Sequence, residues 1–543
     1  MRKMNAAVAL LTLAACAAYA EAPAKPMFES RPASHRPPDA NEGMAIVSMT
    51  TNAGLIDGVD VLVVDSATAQ YTLRSVSSAF ARDTVLFVGV LPEGVYNIKG
   101  WEERDAFRKV TLPETQRQLM GTFEVHRGQL CDLGRLVTTQ MAFAYGTGRS
   151  ATITQNREAL LQFAPDSARL FPDESSSCWS KARDEKDVAE LYAHSYPVGA
   201  AMVAELADGR VAIPTGMGSV LVRGADEKWS VARGGGMQRL LWLQPADRTD
   251  AQMIAVGEMN AILRLDHTGT LQPMPAGELP MGSILFLDGN PTAGWHIVHQ
   301  RGSELKIYRT DSLELPVWTE IASSGTGFSA WSGAKNFWVW PTAQGFAYAV
   351  TDKGTMRFYD YASRTWTERH TPKENPFIGI AHSPGDVIGI LTSPGGGFGG
   401  ITASHYYSRD YGQTWIDIPS SPYSVKVSPP RVLPDNTVLV NGGVFGDAGL
   451  QASKDGGKTW TKLSDKIEVG DFYWNLPHAG LFNVNKSTLG IETIMHSGDG
   501  GTTWSTEYMS VNRDLVRRQM EEERAAKEAK KAARAAKRSK TKR

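Results

Sequence analysis

The chain has 543 residues, 42% of them hydrophobic and 21% charged, with a formal net charge of −1. That composition belongs to a globular protein and excludes a single ordinary core, because a domain of average size holds roughly 150 residues. The 52 Gly and 14 Trp favour many short strands over long helices.

In chain order, the first residues, MRKMNAAVALLTLAACAAYA, combine a basic start (Arg2, Lys3) with a short apolar stretch and then small residues. This is the pattern of an export signal rather than of a membrane span, and it covers residues 1–20. No later segment is long and apolar enough to span a bilayer as a helix. Two processing routes fit the signal. Leu13-Ala14-Ala15-Cys16 resembles the bacterial lipobox, which implies lipidation of Cys16 and anchoring of an exported protein at the outer membrane, periplasmic or surface-exposed. Ala18-Tyr19-Ala20 fits simple cleavage instead. Residues 21–43, rich in Pro, Ala and charge, read as a flexible tether.

Residues 44–140 carry alternating segments such as MAIVSM, VDVLVV, TVLFVGV and VYNIKGW between turns, the pattern of a small β-sandwich. The stretch LPEGVYNIKG resembles the strand entry of prealbumin-like sandwich modules. A partly helical connector follows over residues 141–195, with REALLQF and DEKDVAELYAHS as its amphipathic segments. Cys131 and Cys178 are the two cysteines beyond the signal. In an oxidising compartment they either pair, pinning the first module to the connector, or remain as buried thiols.

The most informative signal lies near the other end. SRDYGQTW (408–415), SKDGGKTW (453–460) and SGDGGTTW (497–504) share the form S-x-D-x-G-x-T-W at spacings of 45 and 44 residues. Degenerate copies ending at Trp366, Trp318, Leu271 and Trp229 continue the stride upstream. Each period has room for four short strands, so residues 196–510 are expected to form a seven-bladed β-propeller, or six blades if the first unit belongs to the connector. The turn chemistry is structural. Asp410, Asp455 and Asp499 accept backbone N–H bonds, Ser408, Ser453 and Ser497 with Thr414, Thr459 and Thr503 offer hydroxyls, and Gly412, Gly457 and Gly501 permit positive φ. Trp415, Trp460 and Trp504 then open the outer strand and seal the joint with the next blade.

These turns resemble the Asp-box (BNR) repeat of the superfamily that includes sialidases, sortilin-like receptors and photosystem-assembly factors. The resemblance covers the propeller alone. It implies that the box joins the third and fourth strands of a blade, on the face away from the binding site, and it is shared by enzymes and non-enzymes. The fold expected is therefore all-β, a sandwich followed by a propeller, with a charged helix or disordered tail over residues 511–543.

A divergent glycoside hydrolase, sialidase-like or xyloglucanase-like, is the alternative to a non-catalytic binding module. Arg210-Val211-Ala212-Ile213-Pro214 is similar to the sialidase Arg-Ile-Pro signature but carries two extra residues, which changes the face or depth at which Arg210 would present. Arg431 and Tyr473 fall where further carboxylate-binding and nucleophilic residues would be sought, and Asp447 and Asp471 are loop acids outside any diagnostic motif. His296 and His299 fall on opposite faces of one strand, which argues against a shared metal site. No cofactor motif occurs. If the boxes close strands three and four, the loops between strands two and three open on the opposite face. There PGGGFGG (394–400) and NGGVFGD (441–447) place Phe398 and Phe445 at matching positions, as candidate contacts for an envelope protein or glycan. The tail from Arg524 to Arg543 has ten Lys or Arg against the single acid Glu528, a local charge of +9 suited to an anionic surface. It has no aromatic residues for stacking on bases, so nucleic acid is not the expected partner.

Overall fold

The computed structural model describes residues 38 to 510 apart from short stretches, the longest at 65–69, 76–83, 172–176, 195–201, 246–252, 326–336, 395–401, 443–448 and 487–491. The signal, most of the tether and the basic tail, including Cys16, lie outside the described residues.

Seven four-stranded antiparallel sheets follow one another along the chain at 204–232, 240–273, 283–325, 337–370, 377–417, 431–464 and 472–509. They are seven blades of a propeller, and the degenerate first unit is a full member of the ring. Within each blade the strands, here lettered A to D, pair in sequence order. The A strands of successive blades lie against one another, which puts them at the centre. Strand interiors are nearly continuous apolar runs, such as Val211–Pro214, Gly345–Val350 and Val387–Thr392, because both faces of a blade are covered by neighbours.

Blades 1 and 7 each consist of four strands consecutive in the chain, so no strand is shared across the junction. The ring is closed by side chains. Val211, Ile213 and Leu221 of blade 1 pack on Phe482 and Ile494 of blade 7. Over this apolar joint Arg223 makes a bidentate pair with Glu507, both contacts at 2.8 Å, and Trp229 Nε1 donates to the same carboxylate at 3.1 Å. His496 Nδ1 lies 3.0 Å from it on the other side. Burial pushes the Glu507 carboxyl up, but the donors and the Arg223 charge outweigh that effect and hold it below the usual carboxylate range.

The N-terminal module was expected to be a two-layer sandwich. It is one curled sheet of nine strands: β1 (Glu42–Thr51), β2 (Ile56–Val63), β3 (Gln70–Ser75), β4 (Thr84–Pro92), β5 (Gly94–Glu103), β6 (Arg108–Thr111), β7 (Phe123–Val125), β8 (Leu130–Met141) and β9 (Ala144–Arg149). The order is β6-β5-β2-β3-β4-β1-β8-β9, with β7 also on β5. The apolar alternation read as two facing layers instead lines the inside of one sheet, where Val47, Val59, Phe87, Tyr96, Trp101 and Leu136 form the core. Alternation reports only that one face is buried, and a curled sheet satisfies it as well as a sandwich. Three short helices follow in the connector, Asn156–Phe163, Pro165–Ala168 and Ala189–Ala193.

Cys131 of β8 and Cys178 of the connector are joined by a disulfide, with a Cα–Cα distance of 5.4 Å. No described helix is long and apolar enough to cross a membrane.

Ring closure through one carboxylate makes a direct prediction. Glu507→Ala leaves the buried Arg223 with only the solvent-exposed Glu227 as counter-charge, at 3.2 Å, and is expected to lower unfolding free energy by about 3 kcal/mol. Glu507→Gln, which keeps an acceptor, should cost less. Urea denaturation of the two variants checks the order.

Candidate functional site

The propeller has two faces, and the chain direction fixes what each carries. A–B and C–D turns lie on one, B–C turns and D–A crossings on the other. The three S-x-D-x-G-x-T-W turns are C–D turns of blades 5, 6 and 7, following strands Ser404–Ser408, Gly449–Ser453 and Glu492–Ser497.

Their geometry repeats closely. Ser408 Oγ donates to Asp410 Oδ1 at 2.8 Å and accepts the Gly412 N–H at 2.7 Å; Asp410 then accepts Thr414 N–H at 2.9 Å and Thr414 Oγ1–H at 2.6 Å. The same four bonds recur at Ser453, Asp455, Gly457 and Thr459 and at Ser497, Asp499, Gly501 and Thr503, all between 2.6 and 2.9 Å. Gly412 has φ 77°, and a Cβ there would lie 2.6 Å from Met356 of the preceding blade. Trp415 Nε1 donates to the His370 carbonyl and Trp460 Nε1 to Ser420 Oγ, both across a blade joint. Trp504 instead donates to Gly501 of its own turn. Hydrogen bonds from the Thr and Ser partners hold Asp455 and Asp499 below the usual range, Asp499 down to about 2. Both oxygens of each carboxylate are committed to the turn, which leaves these acids unsuited to proton transfer.

The opposite face is divided. Over blades 1 and 2 it is covered by the N-terminal module. Met217, from the B–C turn of blade 1, and Met237, from the crossing to blade 2, pack with Val137 of β8 and Ala193 of the last connector helix. Ser219 Oγ of the same turn donates to the His194 carbonyl. Met259 and Met281 pack on the outer side of β1 and β4 together with Ala159 and Leu160. Between them Arg135 of β8, 2% exposed, donates to Thr50 Oγ1 at 3.0 Å and touches Met259 Sδ at 3.8 Å. Burial draws its guanidinium down to about 10, opposed by the charges of Glu258 and Glu190.

Blades 5 and 6 carry a polar floor on this face. Strand B of blade 5 (Val387–Thr392) ends there, strand C begins there with Ser404 and His405, and Lys426 and Ser428 of the crossing to blade 6 reach both blades. Lys426 Nζ donates to the Ala403 carbonyl in blade 5, and Ser428 Oγ donates to the Asn441 carbonyl in blade 6. His405 Nε2 lies 3.0 Å from the Ser428 carbonyl, so Nε2 carries the proton and Nδ1 is a bare acceptor. Desolvation, aided by Lys426, pushes its pKa down to about 4 against the Ser428 bond. His405 Nδ1 and, on the opposite face of the blade, Thr392 Oγ1 are buried and have no hydrogen-bond partner among the described residues. This floor of fixed donors and acceptors, with Lys426 as its cation and a neutral His405, suits hydrogen-bonded recognition.

Phe398 belongs to the connection between strands B and C of blade 5 and Phe445 to the matching connection of blade 6, between Val438–Gly442 and Gly449–Ser453; both lie outside the described residues, as do Asp447 and Asp471. Arg210 is on the A–B turn of blade 1, paired with Asp208 at 2.7 Å. Arg431 begins strand A of blade 6 and donates to the His382 carbonyl at 3.4 Å. The two arginines thus sit in different blades, each engaged locally. Tyr473 lies in strand Phe472–Leu476, its side chain outside the described set. His296 stacks on Tyr361 of blade 4 with centroids 4.6 Å apart, while His299 bonds Asn260 of blade 2 at 3.0 Å. One strand thus sends its two histidines to different joints. No group of three His, Cys, Asp or Glu able to hold a metal occurs among the described residues. The polar floor has no repeat signature in the sequence, because its partners come from a crossing segment that differs from blade to blade.

No protein-family model and no curated protein matches the chain. Among solved structures it is similar to YCF48 bound to D1 peptide (13% identity, 55% of this chain and 91% of that one, TM-score 0.38). It is also similar to YCF48 from Cyanidioschyzon merolae (14%, 56% and 92%, 0.36) and to virginiamycin B lyase from Staphylococcus aureus (12%, 57% and 92%, 0.33). At such identities the likeness concerns architecture and is silent on function.

Two pH effects follow. The depressed Asp455 and Asp499 contribute stability above the unfolded carboxylate value of about 4. That contribution is lost as pH falls through their folded values, so Asp455→Asn should flatten the stability profile below about pH 4. His296, His299 and His405, each drawn down to about 4, act at higher pH. Their contribution is complete above the unfolded histidine value of about 6.5 and falls as pH drops from there towards 4. His405→Gln should reduce that slope, read from denaturation midpoints across the interval.

Proposed function

We propose that the chain is a non-catalytic binding or scaffolding module of the cell envelope, and that it receives a protein or glycan partner on the B–C face of blades 5 and 6. The observation that carries this reading is the buried, neutral His405, whose Nδ1 acceptor has no partner among the described residues, at the end of blade 5 from which the Phe398 connection leaves and beside the crossing to blade 6, which carries the Phe445 connection. Polar groups fixed in a rigid floor orient a ligand, and aromatic side chains around them supply contact area. The same face over blades 1 and 2 is occupied by the N-terminal module, which leaves the later blades for a second molecule. The opposite face is taken up by turns whose carboxylates are internally satisfied.

The export signal and the lipobox at Cys16 support placement at the outer membrane through an N-terminal lipid. The basic tail supports a second, electrostatic contact with an anionic surface. The Asp-box resemblance of the three turns is consistent with this orientation, since such boxes lie away from the binding face.

The test is site-specific photocrosslinking in the intact envelope. A crosslinker at position 398 or 445 is expected to capture a defined envelope component, and one at position 410 or 455 is not. Phe398→Ala with Phe445→Ala should reduce capture from a neighbouring position by at least about tenfold, the effect of removing contacts worth about 1.4 kcal/mol. Equal capture from both faces, or capture unaffected by the double substitution, overturns the assignment.

A further inference from the structure

The curled N-terminal sheet has a seam, and one short piece of chain fills it. β7 pairs with β5 on one edge, and β8 pairs with β1 on one edge and, from Leu136 onward, with β9 on the other. The second edge of β7 and the first part of the second edge of β8 are joined by the connector segment at 177–180. Trp179 bridges antiparallel to Phe123 of β7, and Ser177 bridges parallel to Asp132 of β8. Glu124 N–H donates to the Cys178 carbonyl at 2.9 Å and Ser180 N–H to the Thr122 carbonyl at 2.8 Å. With this segment in place the sheet closes into a barrel around its core.

Four residues of backbone pairing are little to hold a barrel shut, and the side chains add to them. Trp179 packs edge-on against Phe123, donates Nε1–H to the Leu133 carbonyl at 2.9 Å and lies under the Arg149 guanidinium at 4.3 Å. The Cys131–Cys178 disulfide is the covalent part of the same closure. Cys131 is 3% exposed, whereas Cys178 is only partly buried. A surface groove lined by Glu124, His126, Gln129 and Ser177 also has Cys131 and Cys178 in its lining. A structural bridge buried in a core has no such approach. Four and six residues beyond Cys131, the same strand carries Arg135 and Val137, which pack on the propeller.

We propose that Cys131–Cys178 is an exchangeable clamp: a dithiol reductant reaching it through the groove opens the barrel seam and loosens β8 from blades 1 and 2. A thiolate of the reductant attacks Cys178 Sγ, the S–S bond breaks, and Cys131 leaves as a thiolate that takes up a proton. The second thiol of the reductant then attacks the mixed disulfide, forming its own intramolecular disulfide and releasing Cys178 as a thiol. Two electrons and two protons pass from the dithiol to the protein. The consequence is positional, since release of 177–180 unpairs one edge of β7 together with the first part of one edge of β8, leaving Leu136–Met141 on β9. The B–C face of blades 1 and 2 then becomes accessible, independently of what binds blades 5 and 6.

The experiment uses the full oxidised chain in native buffer with dithiothreitol. Alkylation and mass measurement of the peptides containing Cys131 and Cys178 report reduction, and hydrogen exchange reports opening. Reduction without denaturant is expected, with exchange rising at least about tenfold at 121–133, 215–219 and 258–260, a loss of about 1.4 kcal/mol of local protection. The turns of blades 5 to 7 should be unchanged, and reoxidation should restore the original pattern. A bridge reducible only in denaturant overturns the proposal. So does a faster exchange confined to 177–181, since the clamp would then not be coupled to the propeller. Cys178→Ser should reproduce the reduced pattern with no reductant present, and in situ reduction of the wild-type chain keeps the test decisive if that variant does not fold.

Discussion

A four-stranded sheet with two apolar faces cannot bury either of them alone, and the rest of this protein is arranged around that constraint. Each blade is covered only when it has a neighbour on both sides, so the repeats are stable as a ring and unstable as a row. The burden then falls on the joint between the first and last blades, which lie nearly the whole propeller apart in sequence. In many rings a shared strand could carry that joint, but here it rests on an apolar contact capped by Glu507, which gathers Arg223, Trp229 and His496 around one carboxylate. A buried charge cluster of this kind is directional, so it favours one pairing of blade ends over sliding alternatives.

Directionality also separates the two faces of the ring. Polar capacity on the turn face is spent internally, since the Ser–Asp–Thr bonds satisfy both oxygens of Asp410, Asp455 and Asp499. On the other face the polar groups between blades 5 and 6 are stitched across a joint, and His405 Nδ1 is left without a partner among the described residues. Unsatisfied polar atoms in a buried setting are costly, and a rigid floor that retains them is preorganised for a partner that can supply the missing bonds.

The N-terminal module is held to the ring by a mixed contact rather than by a linker alone. Methionines from the B–C turns and crossings of blades 1 and 2 fit against β1, β4, β8 and the connector helices, with Arg135 buried among them. Methionine adapts to irregular gaps, which suits a joint between a propeller rim and a curved sheet. The module therefore acts as a cover over one sector of the face. Its own closure depends on the connector returning to fill the seam between β7 and β8.

The propeller was legible in the residues because its turn chemistry is local. A Ser, Asp, Gly and Thr at fixed offsets satisfy one another within eight residues, so the same hydrogen bonds recur wherever the pattern does, and their spacing gives the blade length. The degenerate copies were legible too, since Asp266 and Asp360 still accept backbone N–H bonds in turns that lack the full motif. What the pattern could not carry was anything assembled from residues distant along the chain. Period-two alternation at residues 44–140 says that one face of each strand is buried, but whether two sheets face each other or one sheet curls is decided by which edges meet. The polar floor under His405, the cover over blades 1 and 2 and the barrel seam at 177–180 have the same origin. Each exists because folding brings together groups whose separation in sequence follows no period, and hydrogen bonding and burial at such places depend on the neighbour and not on the residue.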